Sequence, residues 1–343
     1  MAPLSLSIVA PCFNEEGSLE ELYRRVAAAA EPVAGASFEI VLVNDGSRDR
    51  SWEIMQGLAA RDERVVAINL SRNHGHQLAL TAGLDLCSGE RILIIDADLQ
   101  DPPELLPAMI AEMERLSADV VYGLRRARAG ETAFKRSTAK LFYRGLSQLA
   151  EIDIPRDTGD FRLMSRRALD ALLSLPEQAR FIRGMVAWVG FRQVPLVYDR
   201  AERHAGTTKY SLNKMVRFAL DAVTGFSTAP LRFASHFGLW LVLGSFLLLA
   251  YIAWGWLSGN VAAGWTSLML VVVALGAVQM FVLGMIGEYL GRLYIEAKRR
   301  PLYIVSEIAG RAGGHPHLGH IAQGAEATAT SDTPGGKGSR PIA

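Results

Sequence analysis

Two aspartates separated by one residue, Asp96 and Asp98, stand directly after the apolar run 92–95. On an extended segment, residues two apart point to the same side. A hard cation such as Mg²⁺ or Mn²⁺ binds through one or two carboxylates together with substrate phosphates. The chemistry this spacing points to is capture of a diphosphate-bearing substrate, with the ion neutralising charge on a diphosphate leaving group. Gln100 continues the alternation as a third candidate ligand. Asp45, in Asn44-Asp45-Gly46-Ser47, ends another apolar run. It suits contact with a base or ribose, and equally an Asp-Gly turn that caps the helix after it. Pro11-Cys12-Phe13-Asn14-Glu15-Glu16 and Gly123-Leu124-Arg125-Arg126 close two further runs. The chain has no Gly-x-Gly-x-x-Gly and no Walker-type loop, so phosphates must be met by metal and side chains; this argues against a dehydrogenase or a P-loop enzyme.

The elements that must position these residues alternate. Short aliphatic or β-branched runs at 5–11, 38–44, 65–70, 91–96 and 120–122 read as strands, and 18–30, 51–60, 77–87 and 103–116 read as helices. Strands alternating with helices of this length predict an α/β fold with a mainly parallel sheet covered on both faces. Ligands of such sheets bind beyond the carboxyl ends of the strands, where the candidate residues fall.

Residues 233–287 contain no Asp, Glu, Lys or Arg. A bilayer core about 30 Å thick needs about 20 apolar helical residues, and two such spans fit, near 237–257 and 265–287. Trp254, Trp256 and Trp265 cluster at the polar turn between them, as an interfacial aromatic belt would. Arg217 and Arg232 precede the pair, and Arg292, Lys298, Arg299 and Arg300 follow it, so the positive-inside bias predicts both termini in the cytoplasm. The expected organisation is a cytosolic domain over 1–210, a juxtamembrane amphipathic helix at 211–232, the two spans within 233–290, a cytosolic juxtamembrane segment at 291–310 and a disordered tail at 311–343. Within the first domain, 134–150 interleaves cations with apolar residues; both basic amphipathic stretches suit an interfacial position, or ordinary packing. Cys12 and Cys87 form no spaced framework and fit a reduced compartment. With a net charge of +1, nothing in the overall electrostatics predicts nucleic acid.

Together, Val9-Ala10-Pro11-Cys12-Phe13-Asn14-Glu15-Glu16, Val43-Asn44-Asp45-Gly46-Ser47 and Asp96-Ala97-Asp98-Leu99-Gln100-Asp101-Pro102 resemble glycosyltransferase family 2 domains of the GT-A (Rossmann-like) fold. Asn73-His74-Gly75-His76-Gln77, Gly159-Asp160-Phe161-Arg162-Leu163 and the two spans narrow the likeness, which covers about 5–308, to polyprenyl-phosphate glycosyltransferases. Dolichol-phosphate mannose synthases tend to carry Ser-Gly-Phe-Arg-Leu at the latter motif, so the bactoprenol branch is favoured. The resemblance implies a nucleotide-sugar donor, a polyprenyl (undecaprenyl) phosphate acceptor, Mg²⁺ or Mn²⁺, and a multi-pass inner-membrane protein, with room for homo-oligomers through the transmembrane region. It implies that Pro11, Asn14, Glu15 and Asp45 line the nucleoside pocket. Asp96, Asp98 and Gln100 would serve metal and diphosphate; Arg125, Arg136, Ser137, Arg203 and Lys209 would receive donor or acceptor phosphates. Glucose is the first expectation for the sugar, with mannose and aminosugars as alternatives.

A phosphate monoester has a second pKa of about 6 and is mostly a dianion near neutral pH. Such an acceptor needs a strong base less than a sugar hydroxyl does, and a single displacement with inversion at the anomeric carbon is expected. Asp160 is the candidate base; its alternatives are orienting Arg162 or another cation, or contacting sugar hydroxyls. A processive polysaccharide synthase would carry Gln-x-x-Arg-Trp, which is absent. A sugar nucleotidyltransferase needs no membrane hairpin, and a degenerate scaffold would have lost Asp96 or Asp98.

Overall fold

A computed structural model describes residues 4–125, 158–199, 229–258 and 264–310. The amphipathic stretch 134–150, most of 211–232, the tail 311–343, and Arg136, Ser137, Arg203 and Lys209 lie outside the described residues.

The chain begins as expected: β1 (Leu6–Cys12), α1 (Leu19–Ala34), β2 (Phe38–Asn44), α2 (Ser51–Arg61), β3 (Val65–Leu70), α3 (His76–Leu86) and β4 (Arg91–Ile94). A short 3₁₀ turn at Pro103–Leu105 leads into α4 (Leu106–Arg115), then β5 (Val120–Arg125). After the next described stretch come β6 (Thr158–Ser165), α5 (Arg166–Leu173), α6 (Ile182–Val189) and β7 (Gln193–Tyr198). Two long helices follow, α7 (Ala229–Leu257) and α8 (Trp265–Lys298), and then β8 (Val305–Gly310).

One mixed sheet runs β7-β5-β6-β4-β1-β2-β3-β8. The pairs β1–β2, β1–β4, β2–β3 and β5–β7 are parallel; β3–β8, β4–β6 and β5–β6 are antiparallel. This is the expected α/β, GT-A-like sheet, with β6 and β8 inserted against the prevailing direction. β1 and β2 are buried at every residue, as in strands covered on both faces, and their buried polar pair bonds internally, Ser7 Oγ donating to Glu39 Oε1 at 2.6 Å. Leu6, Ile8 and Ala10 pack with α1, α2 and α4. Val9, pointing the other way, packs with α3, α5 and α6. Gly83 lets α3 lie close on the sheet, since a Cβ there would stand 2.4 Å from Val9 Cγ1. That approach sets the N-terminus of α3 over the sheet's carboxyl edge.

The structure departs from two expectations. Residues 291–310 are not simply a juxtamembrane segment: α8 continues to Lys298, and β8 returns to pair with β3. The strand expected to reach residue 96 stops at Ile94, and the chain turns at Ala97 and Asp98. α7 and α8 have 29 and 34 residues and touch one another. Among the described residues, Val271–Lys298 is the one helical stretch apolar and long enough to cross a membrane.

Candidate active site

β1 sends the chain to β2 and β3 on one side, and β4 lies on its other side. In open α/β sheets such a reversal places the ligand crevice at the carboxyl ends of the flanking strands, here β1 and β4. Ile95 N donates to Val9 O at 3.1 Å, so alternate groups of β1 face β4. The missing N–H of Pro11 therefore falls where β4 has ended, and a proline in a central strand leaves no ladder bond unmade.

The loops around the crevice are stitched to one another. Asn14, in left-handed backbone (φ 56°), accepts from Arg48 N at 2.8 Å and donates its own N–H to Ser47 Oγ at 3.0 Å. Glu15 N donates to Ser51 Oγ at 2.9 Å. Buried Asp45 accepts the backbone N–H groups of His74 (2.7 Å) and Gly75 (3.0 Å), and thereby fixes the loop that starts α3. Burial raises the Asp45 pKa, and those two amides oppose the rise.

At the centre is a carboxylate pair. The antiparallel register of β4 and β6 ends at Ile94↔Arg162; two residues further on, it sets Asp96 opposite Asp160. His76 lies between them, its Nε2 3.5 Å from Asp96 Oδ1 and 3.3 Å from Asp160 Oδ2. Gln77 Nε2 donates to Asp160 Oδ2 at 3.0 Å, and Arg183 Nη2 donates to Asp160 Oδ1 at 3.4 Å. Arg162, almost wholly buried, donates to the carbonyls of Asp160 (3.2 Å) and Gly159 (3.1 Å).

Environment drives the two carboxyls apart. Burial pushes Asp96 up to about 6; His76 opposes that, and the charges of Asp160, Asp101 and Asp98 add to it. Burial also acts to raise Asp160, but the His76 hydrogen bond and the charges of Arg162 and Arg183 hold it well below the usual carboxylate range. Burial disfavours a charged His76, yet the Asp160 hydrogen bond and the charges of Asp96, Asp160 and Asp45 raise its pKa above the ordinary value.

On the turn after β4, Asp98 accepts the Gln100 backbone N–H at 3.2 Å, Leu99 is buried in left-handed backbone (φ 59°), and Gln100 is buried. A β-region strand cannot continue through that geometry. The alternation expected to align Asp96, Asp98 and Gln100 is therefore replaced by a tight turn. Asp101, wholly buried, accepts from Tyr198 Oη, and Arg125 reaches both, at 3.3 Å to Tyr198 Oη and 3.5 Å to Asp101 Oδ2. Arg125 lies directly on Gly159, where a Cβ would stand 2.4 Å from Nη2.

Asp96 and Asp98 are the carboxylates at this edge that would hold a divalent cation, and one atom there is left for it. Asp96 Oδ1 is buried with no hydrogen-bond partner among the described residues, and leaving a buried acceptor so is costly. The described residues hold no group of three or more His, Cys, Asp or Glu side chains that could hold a metal ion. An ion at Asp96 and Asp98 would complete its shell with phosphate and water, as Mg²⁺ usually does.

Of the residues singled out from sequence, Pro11, Asn14, Glu15, Asp45, Asp96, Asp98, Gln100, Arg125 and Asp160 all belong to loops or strand ends at this one edge. Sequence reasoning gave no role to His76, Gln77, Arg183, Asp101 or Tyr198, and named Arg162 only as a cation that Asp160 could orient. His76, Gln77 and Arg162 lay inside motifs already noted, and Asp101 stands in the Asp96–Pro102 run. Arg183 and Tyr198 carried no local signal.

Residues 7–173 match the family described as glycosyl transferase family 2. The chain is 46% identical over 308 residues to the uncharacterized glycosyltransferase YkcC of Bacillus subtilis (strain 168), covering 90% of this chain and 95% of that one. It is 40% identical over 309 residues to a prophage bactoprenol glucosyl transferase homolog of Escherichia coli (strain K12), covering 89% and 99%. It is also 40% identical over 306 residues to the bactoprenol glucosyl transferase of Shigella phage SfV, covering 88% and 98%. Among solved structures, glucosyl-3-phosphoglycerate synthase from Mycobacterium tuberculosis, in complex with Mn²⁺, UDP and phosphoglyceric acid, is similar at a TM-score of 0.45 and 20% identity, over 64% of this chain and 76% of that one. A likeness of that extent transfers no residue's role.

Proposed function

The chain belongs to glycosyltransferase family 2, and from that premise we propose that it moves a hexose, glucose first, from a nucleotide-sugar onto polyprenyl phosphate at the cytoplasmic face of a membrane. One observation carries the acceptor: the sheet that bears the carboxylate crevice is finished by β8, which directly follows a helix apolar enough to span a bilayer. A transferase bound into one sheet with such a helix suits an acceptor that lives in lipid. The relatives named as bactoprenol glucosyl transferases, alike over nearly their whole length, support the same reading.

In this reading α7 and α8 form a two-span hairpin with both flanks cytoplasmic. Pro11, Asn14, Glu15 and Asp45 border the nucleoside, and Asp45 acts chiefly by holding the 73–76 loop. Asp96 and Asp98, with Gln100 behind them, would hold Mg²⁺ or Mn²⁺, which when bound neutralises charge on the departing diphosphate. Arg125, backed by Asp101 and Tyr198, reaches toward the same phosphates. Arg136, Ser137, Arg203 and Lys209 are assigned to the lipid phosphate. The acceptor dianion attacks the anomeric carbon directly, with inversion, and what it needs is aim. Asp160 already receives Gln77, His76 and Arg183, and its low pKa makes it a poor base. Those contacts favour its orienting role over proton removal.

The test is to purify the protein in detergent, supply polyprenyl phosphate, and screen nucleotide-sugars for released nucleoside diphosphate. An α-linked donor is expected to give a β-linked lipid product by NMR. An α-linked product would overturn the single displacement, and no turnover with any donor would overturn the acceptor.

A further inference from the structure

The side-chain amide of Gln77 bonds in two directions. Its Oε1 accepts from Ile182 N at 2.9 Å, and its Nε2 donates to Asp160 Oδ2 at 3.0 Å. One partner can only donate and the other only accepts when ionised, so the orientation of the amide is fixed by its surroundings. Ile182 N is among the first N–H groups of α6, which lack a partner within their own helix. No side chain caps α6 locally, so Gln77 does this from a distant element.

Four residues before Ile182, Gln178 N donates to both carboxylate oxygens of Glu296, at 2.9 and 3.1 Å. Glu296 lies in the last turn of α8, inside the membrane-compatible stretch Val271–Lys298. One residue after Ile182, Arg183 reaches Asp160 Oδ1 at 3.4 Å. Segment 178–183 is thus pinned at one end to α8 and at the other to Gln77 and Asp160. Four peptide steps extend to at most about 14 Å, so the two anchorages are close.

We infer that Gln77 is a positioning residue for Asp160, and that with segment 178–183 it forms a strap which ties the aim of that carboxylate to the C-terminal end of α8. The inference rests on the reading of Asp160 as a residue of the sugar-transfer site. Gln77 need not touch substrate. It fixes which way the Asp160 oxygens and the Arg183 guanidinium face.

The test is a double-variant cycle on the full-length protein in detergent or bilayer. Gln77→Glu keeps an acceptor for Ile182 N but removes the donor to Asp160, and should lower turnover by about ten- to a hundredfold. In an Asp160→Asn background the same change should cost less than about threefold, because coupled residues are not additive. Losses that multiply would overturn the inference; Gln77→Met repeats the cycle if the glutamate variant folds poorly. Amide hydrogen exchange over 178–183 needs no substrate. Glu296→Ala should speed it and lower turnover, and Glu296→Gln, which keeps an acceptor, should reverse both. Exchange unchanged by Glu296→Ala would overturn the strap. A wild-type protein inactive with every donor would remove the functional reading alone, and the exchange result would then decide the strap by itself.

Discussion

The sheet crevice and α8 invert one another. In the crevice the charged groups are inside: Asp101 is 0% exposed, Arg162 3% and Asp160 7%. On α8 the apolar groups are outside: Met280 is 70% exposed, Leu293 64% and Phe281 61%. The crevice charges answer one another, with His76, Gln77 and Arg183 on Asp160 and Tyr198 and Arg125 on Asp101. Such a network is organised before a substrate arrives, as electrostatic stabilisation of a transition state requires. Exposed apolar surface is unfavourable in water at about 25 cal/mol per Å², so α8 is built for a different solvent, proposed here to be a bilayer. Whether a residue is satisfied depends on its surroundings more than on its type.

The comparison breaks most visibly at the metal edge. Asp98→Asn, or Asp96→Asn, should lower nucleoside diphosphate release by about a thousandfold, the scale of several kcal/mol of lost leaving-group stabilisation. Membrane recovery should be unchanged, and a chelator should mimic the loss until Mg²⁺ or Mn²⁺ is restored. A fully active Asp98→Asn enzyme would end the metal assignment. Next in size is a charge on the helix. Phe281→Arg should cost about 2.5–3.5 kcal/mol of insertion, read as protein moving out of the alkali-resistant membrane fraction. Unchanged recovery would mean that this face does not meet lipid.

Asp160→Asn sharpens the contrast within the crevice. An orienting carboxylate should lose about ten- to a hundredfold in turnover, with a raised KM; a fall as large as that of Asp98→Asn, at unaltered KM, would restore the base. The smallest effect lies away from both regions. Arg64 and Tyr23 hydrogen-bond Asp62 and hold its pKa down to about 2 from 3.8. A depressed carboxyl contributes stability that is complete above its unfolded value and is lost as pH falls through the folded one. Asp62→Asn should therefore cost about 1 kcal/mol at neutral pH, and in denaturant melts the difference from wild type should begin to shrink near pH 4, be mostly lost by about pH 2 and vanish only below it. A difference as large at pH 2 as at neutral pH would remove Arg64 as its cause.

Sequence carried the first half of the sheet well, because β1 to β3 are short, mostly aliphatic runs, each followed within two residues by Asn, Asp or Ser. It located Asp96 and Asp98 but misjudged how they are presented, since nothing in Ala97 or Leu99 announces a left-handed turn. Asp160 could be flagged by its motif; that it faces Asp96 depends on β6 entering antiparallel between β4 and β5, a tertiary choice. Arg183 and Tyr198 sit in ordinary helix and strand text and become site residues only through that packing. β8 was missed for the same reason: Val305–Gly310 is half exposed and becomes a strand by pairing with β3.

That last strand imposes an order of assembly. β3 is made near the start of the chain, and its outer neighbour is made only after α7 and α8. A nascent chain released before residue 303 would hold β3 as a bare edge, without the pairing of Ala67, Ile68 and Asn69 opposite Ala309, Ile308 and Glu307 and without the Tyr303–Asp85 hydrogen bond behind it. Open edges recruit other strands. The growing protein thus cannot close its sheet until the helices between have been dealt with, and a chain whose helices stall on the way would reach the cell's proteases with that edge still open.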